Sequence, residues 1–402
     1  MCINTLNKVS SYLVKFVIYV FLLIVVACES SSSSPTPELN NPTIVPTSET
    51  FIPAMTEVSG LATDNQLVPN LTPLPQFKDY IIYSKFETKI GSEIWWAINP
   101  SKLNPLLITS NITPRSWSPS NKLWLFTGNR SIYVANSDGS NVRVIYNYKE
   151  YEGIDPFWLT DDVVLFNAYK DPLFLPPDIY SLDISSGKVT QLFSGSRNSQ
   201  FIQATFPTEK KWLLASWPSG PLDIVDENGK AEKFFGGFSI PTDPFAPYPP
   251  IQRINRLDKY LFQAKGPADT NYKLWLVSKQ ETPQILFDPG SDGIDQFAVS
   301  PDEQYLALTY STIQLKGVFV YIFSLENFQL IYKWAYPYKL GSGELIWSPD
   351  SQSIVTYYSE SDIGYPDKIN SGIQIMDIKT GETKIILNED VTQIIGWHFL
   401  AK

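Results

Sequence analysis

The chain has 402 residues, a formal charge of −10 and only one histidine. That charge repels duplex nucleic acid and anionic membrane surfaces, so nucleic-acid binding is not expected. Aromatic residues reach 14% while charged residues reach only 18%, a mix suited to flat sheets packed through aromatic rings.

The first predicted element is an export signal. Lys8 and Lys15 precede an apolar run from Phe16 to Ala27, which is too short to cross a bilayer as a helix but ample for a signal core. Val25-Val26-Ala27-Cys28 follows. This segment resembles the lipobox of bacterial lipoproteins, although Val26 departs from that family's preference for Ala or Ser. The resemblance implies that residues 1–27 are removed and that Cys28 is diacylated, anchoring an extracytoplasmic protein to the cell membrane; ordinary cleavage or an uncleaved anchor are the alternatives. Cys2 leaves with the signal, so no disulfide or thiol chemistry is available downstream.

Residues 28–77 are expected to be a disordered tether. The serine run Ser30 to Ser34 and prolines such as Pro35, Pro42, Pro53, Pro69 and Pro75 leave too little apolar surface for a fold. A flexible chain of this length reaches roughly 35–40 Å.

Residues 78–402 carry a repeat. Trp117-Ser118-Pro119, Val299-Ser300-Pro301 and Trp347-Ser348-Pro349 are its clear copies, with degenerate ones at Trp158, Phe206, Ile254 and Trp397. The intervals are 41, 48, 48, 45, 48 and 50 residues, the period of a four-stranded propeller blade. Each turn leads into a β-branched and aromatic run, beginning near Lys122, Val163, Lys211, Tyr260, Tyr305 and Ile354. A second series of hairpins opens at Ile94, Ile132, Ile179, Leu222, Leu274, Val320 and Ile373. Gly139, Gly187, Gly229 and Gly381 stand where its tight turns require positive φ. Both series give seven, so the fold class is all-β, a seven-bladed propeller, with six or eight blades the alternatives. The first unit lacks an inner strand and the last residues supply a lone one, Gln393 to Trp397. Sharing them would close the ring and remove an exposed edge.

At these turns the chain resembles the TolB-like, WD-type repeat propellers of bacteria. That family carries Gly after the Asp of Trp-Ser-Pro-Asp, where Asn121, Glu303 and Ser351 stand in this chain. Propellers of this type are known as binding scaffolds and as parts of enzymes.

The sequence points to one face for function. The Trp-Ser-Pro and Gly turns are uniformly short, whereas the long connections, Tyr169 to Pro177, Gly236 to Pro250, Tyr336 to Gly343 and Ser359 to Gly372, all fall on the opposite side. Gly236 to Pro250 holds Phe238, Phe245 and Tyr248 among five prolines, which suits either a binding loop or a cap packed on its neighbours. Polar residues near the starts of inner strands, Asp155, Gln203, Arg253, Asp295, Glu344 and Gln393, are candidate ligand or partner residues; the alternative is a solvated strand end. Gly-Ile-Asp recurs at Gly153 and Gly293, but shifted by one place relative to the turn.

Catalysis is not expected. His398 lacks a nucleophile elbow and suits a structural role at ring closure. Metal sites built from His and Cys are excluded by count, and Asp288, Asp292 and Asp295 do not have EF-hand spacing, so no cofactor is expected. A glycan-active carboxylate pair remains possible in principle. The chain reads as a non-catalytic scaffold for a protein or peptide in the cell envelope, with carbohydrate or cell-wall glycan as the alternative ligand.

Overall fold

The computed structural model describes residues 56–58, 69, 71–74, 79–87, 92–170, 177–195, 200–216, 222–235, 251–266, 269–278, 281–290, 293–312, 317–335, 345–361, 369–389 and 391–399. The chain is a seven-bladed β-propeller of antiparallel four-stranded sheets. After β1 (Thr56–Val58), the first blade holds β2 (Asp79–Glu87), β3 (Ser92–Ile98) and β4 (Pro105–Thr109). Blade two is β5 (Thr113–Trp117), β6 (Leu123–Gly128), β7 (Ser131–Asn136) and β8 (Arg143–Asn147). Blade three is β9 (Gly153–Trp158), β10 (Val163–Tyr169), β11 (Asp178–Asp183) and β12 (Val189–Phe193). Blade four is β13 (Gln200–Phe206), β14 (Lys211–Ser216), β15 (Leu222–Asp226) and β16 (Ala231–Phe235). Blade five is β17 (Ile251–Ile254), β18 (Lys259–Ala264), β19 (Lys273–Val277) and β20 (Gln284–Phe287). Blade six is β21 (Gly293–Val299), β22 (Tyr305–Thr312), β23 (Gly317–Ser324) and β24 (Leu330–Ala335). Blade seven is β25 (Ile346–Trp347), β26 (Ser353–Ser361), β27 (Ile369–Asp377) and β28 (Thr383–Leu387).

The last strand, β29 (Gln393–Phe399), pairs with β2 and completes the first blade, with Ile81 opposite Trp397 and Ser84 opposite Gln393. Closure by the C-terminal strand is therefore as the sequence implies. His398 stands opposite Tyr80 in this pairing.

Packing follows the same sevenfold plan. Each apolar cluster belongs to one junction between neighbouring blades. Tyr80, Ile82, Trp124 and Phe126 join blades one and two, and Leu159, Leu165, Ile202 and Trp212 join three and four. Ile81, Tyr83, Val355, Ile373 and Ile394 join blade seven to blade one, so the closing junction is as apolar as the rest. Such flat, aromatic-rich faces bury large areas, and each fully buried ring contributes on the order of 2–3 kcal/mol.

Every blade also carries a bulge between its third and fourth strands. In blades two, three, four, five and seven it falls at Ile132, Ile179, Leu222, Leu274 and Ile373, the residues that open the hairpin series. An extra residue there increases the local twist, as a blade's outer strands require.

Two pieces of the stretch read as a tether lie against the propeller. Thr56–Val58 adds antiparallel to β12, with Glu57 opposite Thr190, giving blade three a fifth strand. Leu71 and Leu74 are buried in the junction of blades one and two, while Thr72 N donates to Ile108 O and Leu74 N to Asp138 O.

Candidate functional site

The two ends of the inner strands use their polar groups differently. At the end carrying the Trp-Ser-Pro turns, the Ser118 hydroxyl accepts from Leu123 N, and Ser118 N donates to Leu123 O. Ser300 with Tyr305 and Ser348 with Ser353 repeat the arrangement. Serine is thus the residue that ties the turn to the next strand. The place where Gly is missing is left-handed: φ is 58° at Asn121, 55° at Glu303 and 60° at Ser351. Lys210 and Asp258 occupy the same conformation in the degenerate turns, at 51° and 52°.

Tryptophan ties neighbouring blades together. Trp158 Nε1 donates to Ser116 O at 3.1 Å, and Trp347 Nε1 to Ala298 O at 2.8 Å. Turn also meets turn: Ser120 N donates to Asp161, Asp302 N to Ser351, and Asn255 N and Arg256 N to the Glu303 carboxylate. Arg253 belongs to this network and not to the opposite mouth. It stands next to Ile254, at the turn end of the four-residue β17, and binds the Glu209 and Asp258 carboxylates. Its guanidinium lies 4.4 Å over the Tyr260 ring.

The opposite end holds Asp155 and Gln203, each three residues before the Trp position of its unit. Asp155 pairs in register with Asn167 on β10. The Tyr169 hydroxyl bonds to Asp155, and burial followed by that carboxylate's charge pushes the phenol well above its ordinary range. Asn167 reaches the next blade, donating from Nδ2 to Ile202 O and accepting from Ile202 N at 2.8 Å. Gln203 is 8% exposed, and its Oε1 meets no hydrogen-bond donor. Asp295 sits at a bulge of β21 between Ile294 and Gln296. That inserted residue is the physical reason that Gly-Ile-Asp at Gly293 is one place out of step with Gly153.

Sequence reasoning passed over Arg115, which enters this group from blade two. Arg115 is half-buried on β5, and its Nε donates to Thr127 Oγ1 at 2.9 Å. Glu93 on β3 is held above the usual carboxylate range, mainly by burial, against the Ser84 hydrogen bond and the Arg115 charge. Tyr148 is likewise raised, chiefly by burial, with Arg115 opposing and Asp155 reinforcing. The available signal was a cation two residues before Trp117, in the clearest repeat of the chain.

Beside this group, Tyr151, Tyr180 and Asp178 form a buried cluster. The two hydroxyls are 2.5 Å apart, and Tyr151 donates to Asp178 at 3.1 Å. Asp178 also accepts from Gly195 N and pairs with Lys170 at 3.2 Å. Further round, side-chain amides bridge blades: Gln252 to Phe297 and Val299, Gln263 to Ile294, and Gln296 to Leu345.

The other candidate residues, Phe238, Phe245, Tyr248, Glu344 and the lipidation candidate Cys28, lie outside the described residues. Gln393 opens β29 opposite Ser84. Ser359 to Gly372, expected as a long connection, is in part an extension of β26 and β27, paired out to Ser361 and Ile369. Asp288 caps Gly290 N and pairs with Lys273. Among the described residues, no three His, Cys, Asp or Glu side chains gather as a metal site would require.

These features define a closed propeller with one face tied up in blade-to-blade bonds and a polar group at the opposite mouth. No family model matches the chain, and no curated protein does. Among solved structures, it is similar to a puromycin-hydrolysing peptidase from Mycobacterium tuberculosis, with a TM-score of 0.57 at 12% identity over 80% of this chain and 53% of that one. It is also similar to the β-propeller domain of the Trilobed protease from Pyrococcus furiosus, with a TM-score of 0.51 at 16% identity over 80% and 98% of the two chains. That domain has an open velcro topology, whereas β29 closes the ring here. TolB from Acinetobacter baumannii matches with a TM-score of 0.41 at 13% identity, over 79% and 82%. At such identities the first two likenesses establish the fold alone, and the third is too distant to carry an argument.

Proposed function

We propose that this chain is a non-catalytic binding scaffold of the bacterial cell envelope, anchored through a lipid on Cys28, which takes a protein or peptide partner at the long-connection face. One observation carries the reading: the two ends of the inner strands differ. The turn end commits Trp158, Trp347, turn N–H groups and an ion pair to neighbouring blades. The other end keeps a half-buried arginine, a tyrosine-bound aspartate and a buried amide oxygen without a donor. Rigid scaffolds present binding groups where loops converge on such an end.

Crosslinking in intact cells followed by capture of the full chain tests the reading. The expected result is a discrete envelope partner that is lost when residues 236–250 are deleted and the fold is retained. Equal capture by the deleted protein would overturn it.

A glycan ligand has one supporting observation. Phe287, Tyr310 and Phe319 are half-buried around Tyr321 at the same end of blades five and six, with Tyr310 and Tyr321 stacked at 5.7 Å. A saturable hit on a glycan array, abolished by Tyr310→Ala, would favour this reading over the first.

A further inference from the structure

Several charges at the long-connection end of the strands are paired. Lys85 holds Glu389, Arg130 holds Glu152 at 3.0 Å, Lys170 holds Asp178 at 3.2 Å, and Lys273 holds Asp269 at 2.7 Å. Arg115 differs. Its one hydrogen bond runs from Nε to the neutral Thr127 hydroxyl, and no carboxylate of the described residues stands at ion-pair distance. Both terminal nitrogens are left over. A guanidinium presents those nitrogens as a planar fork that matches a carboxylate with two parallel bonds.

The surroundings narrow the ligand. Glu93 and Asp155 lie within electrostatic reach of the same spot, and the chain as a whole is strongly acidic. A ligand carrying a negative charge on every unit would be repelled there. One carboxylate on an otherwise neutral chain fits a single uncommitted guanidinium. A peptide C-terminus is such a ligand.

We infer that Arg115 binds the C-terminal carboxylate of a peptide that enters the propeller from the long-connection face. This rests on the peptide-binding reading of that face.

The test uses the full chain in detergent and an N-terminally labelled pentapeptide, Gly-Ser-Gly-Ala-Ala, as free acid and as C-terminal amide, with binding followed by fluorescence anisotropy. The free acid is expected to bind at least tenfold more tightly than the amide. Arg115→Gln should abolish that preference, and Arg115→Lys, which keeps the charge but not the fork, should reduce it. The acid–amide comparison on the unaltered chain stands even if the Gln variant fails to fold. Equal binding of acid and amide, no binding of either, a preference that survives in Arg115→Gln, or binding of an oligouronate in place of both peptides would each overturn the inference. None of these results bears on partner capture through residues 236–250, so the two readings fail separately.

Discussion

Gly396 lies beneath the ring of Trp117, so close that an added Cβ would sit 3.0 Å from Cζ3. The other side of the indole stacks on Trp124 at 4.7 Å. The last strand and the first complete turn of the repeat therefore meet through a glycine and a tryptophan. Replacing Gly396 with Val should force the indole aside and destabilise the protein by about 1–3 kcal/mol. Gly153, where an added Cβ meets nothing within 4 Å, is the control. Thermal melting of Gly396→Val and Gly153→Ala should show a loss for the first and little change for the second.

The left-handed turn residues give a second expectation. Asn121 is exposed, has φ of 58° and makes no side-chain hydrogen bond. Asn121→Gly should be neutral or gain up to about 1 kcal/mol, because glycine adopts this conformation without strain. Glu303 has the same conformation, but its carboxylate accepts from Asn255 N and Arg256 N on the next blade. Glu303→Gly should therefore lower the melting temperature despite the relieved backbone. A rise in that variant would mean that the turn-to-turn bonds contribute nothing.

The hairpin turns should resist acid until low pH. Asp183 accepts from the Ser185 and Ser186 hydroxyls and backbone N–H groups, which bring its carboxyl down to about 2. Its folded value lies below the unfolded one, so its contribution is full above about pH 4 and is lost as pH falls toward 2. Carboxyl NMR of selectively labelled chain should show Asp183 titrating near that lower limit. Titration in the ordinary range would show that the turn does not hold the carboxylate.

Alkali should act on the blade junctions. Burial, with the charges of Tyr180 and Glu150, pushes Tyr146 up to about 12, and Tyr80, Tyr148 and Tyr180 are also raised by burial. A raised folded value means stabilisation that is complete below about pH 10 and disappears as pH climbs toward 12. Melting temperature should fall across that window. Tyr146→Phe should flatten part of the fall.

The blade count was legible because its signal is local. A serine that ties turn to strand and a left-handed fourth residue recur wherever the turn recurs, even where Lys210 and Asp258 replace the family's glycine. The closing strand was legible because a missing inner strand at one end and a lone strand at the other leave one solution. Arg253 was not, since β17 is only four residues long and the arginine follows the proline-rich loop at once in sequence while standing at the turn end in space. Arg115 was missed for a different reason: its significance lies in having no carboxylate at ion-pair distance among the described residues, which spacing does not reveal. Nor could the pairing of Thr56–Val58 be read, because three residues carry no period and their partner edge lies more than 130 residues away.

That short strand changes how load enters the molecule. Force drawn through the N-terminal segment meets first the three-residue pairing of Thr56–Val58 with β12, then the buried Leu71 and Leu74, and only afterwards β2. The shortest pairing on that path is outermost, a fifth strand added beyond the four that blade three contributes to the ring. Peeling it would release more of the N-terminal segment while the seam between β2 and β29 stays shut, so that pairing works as a mechanical fuse ahead of the propeller.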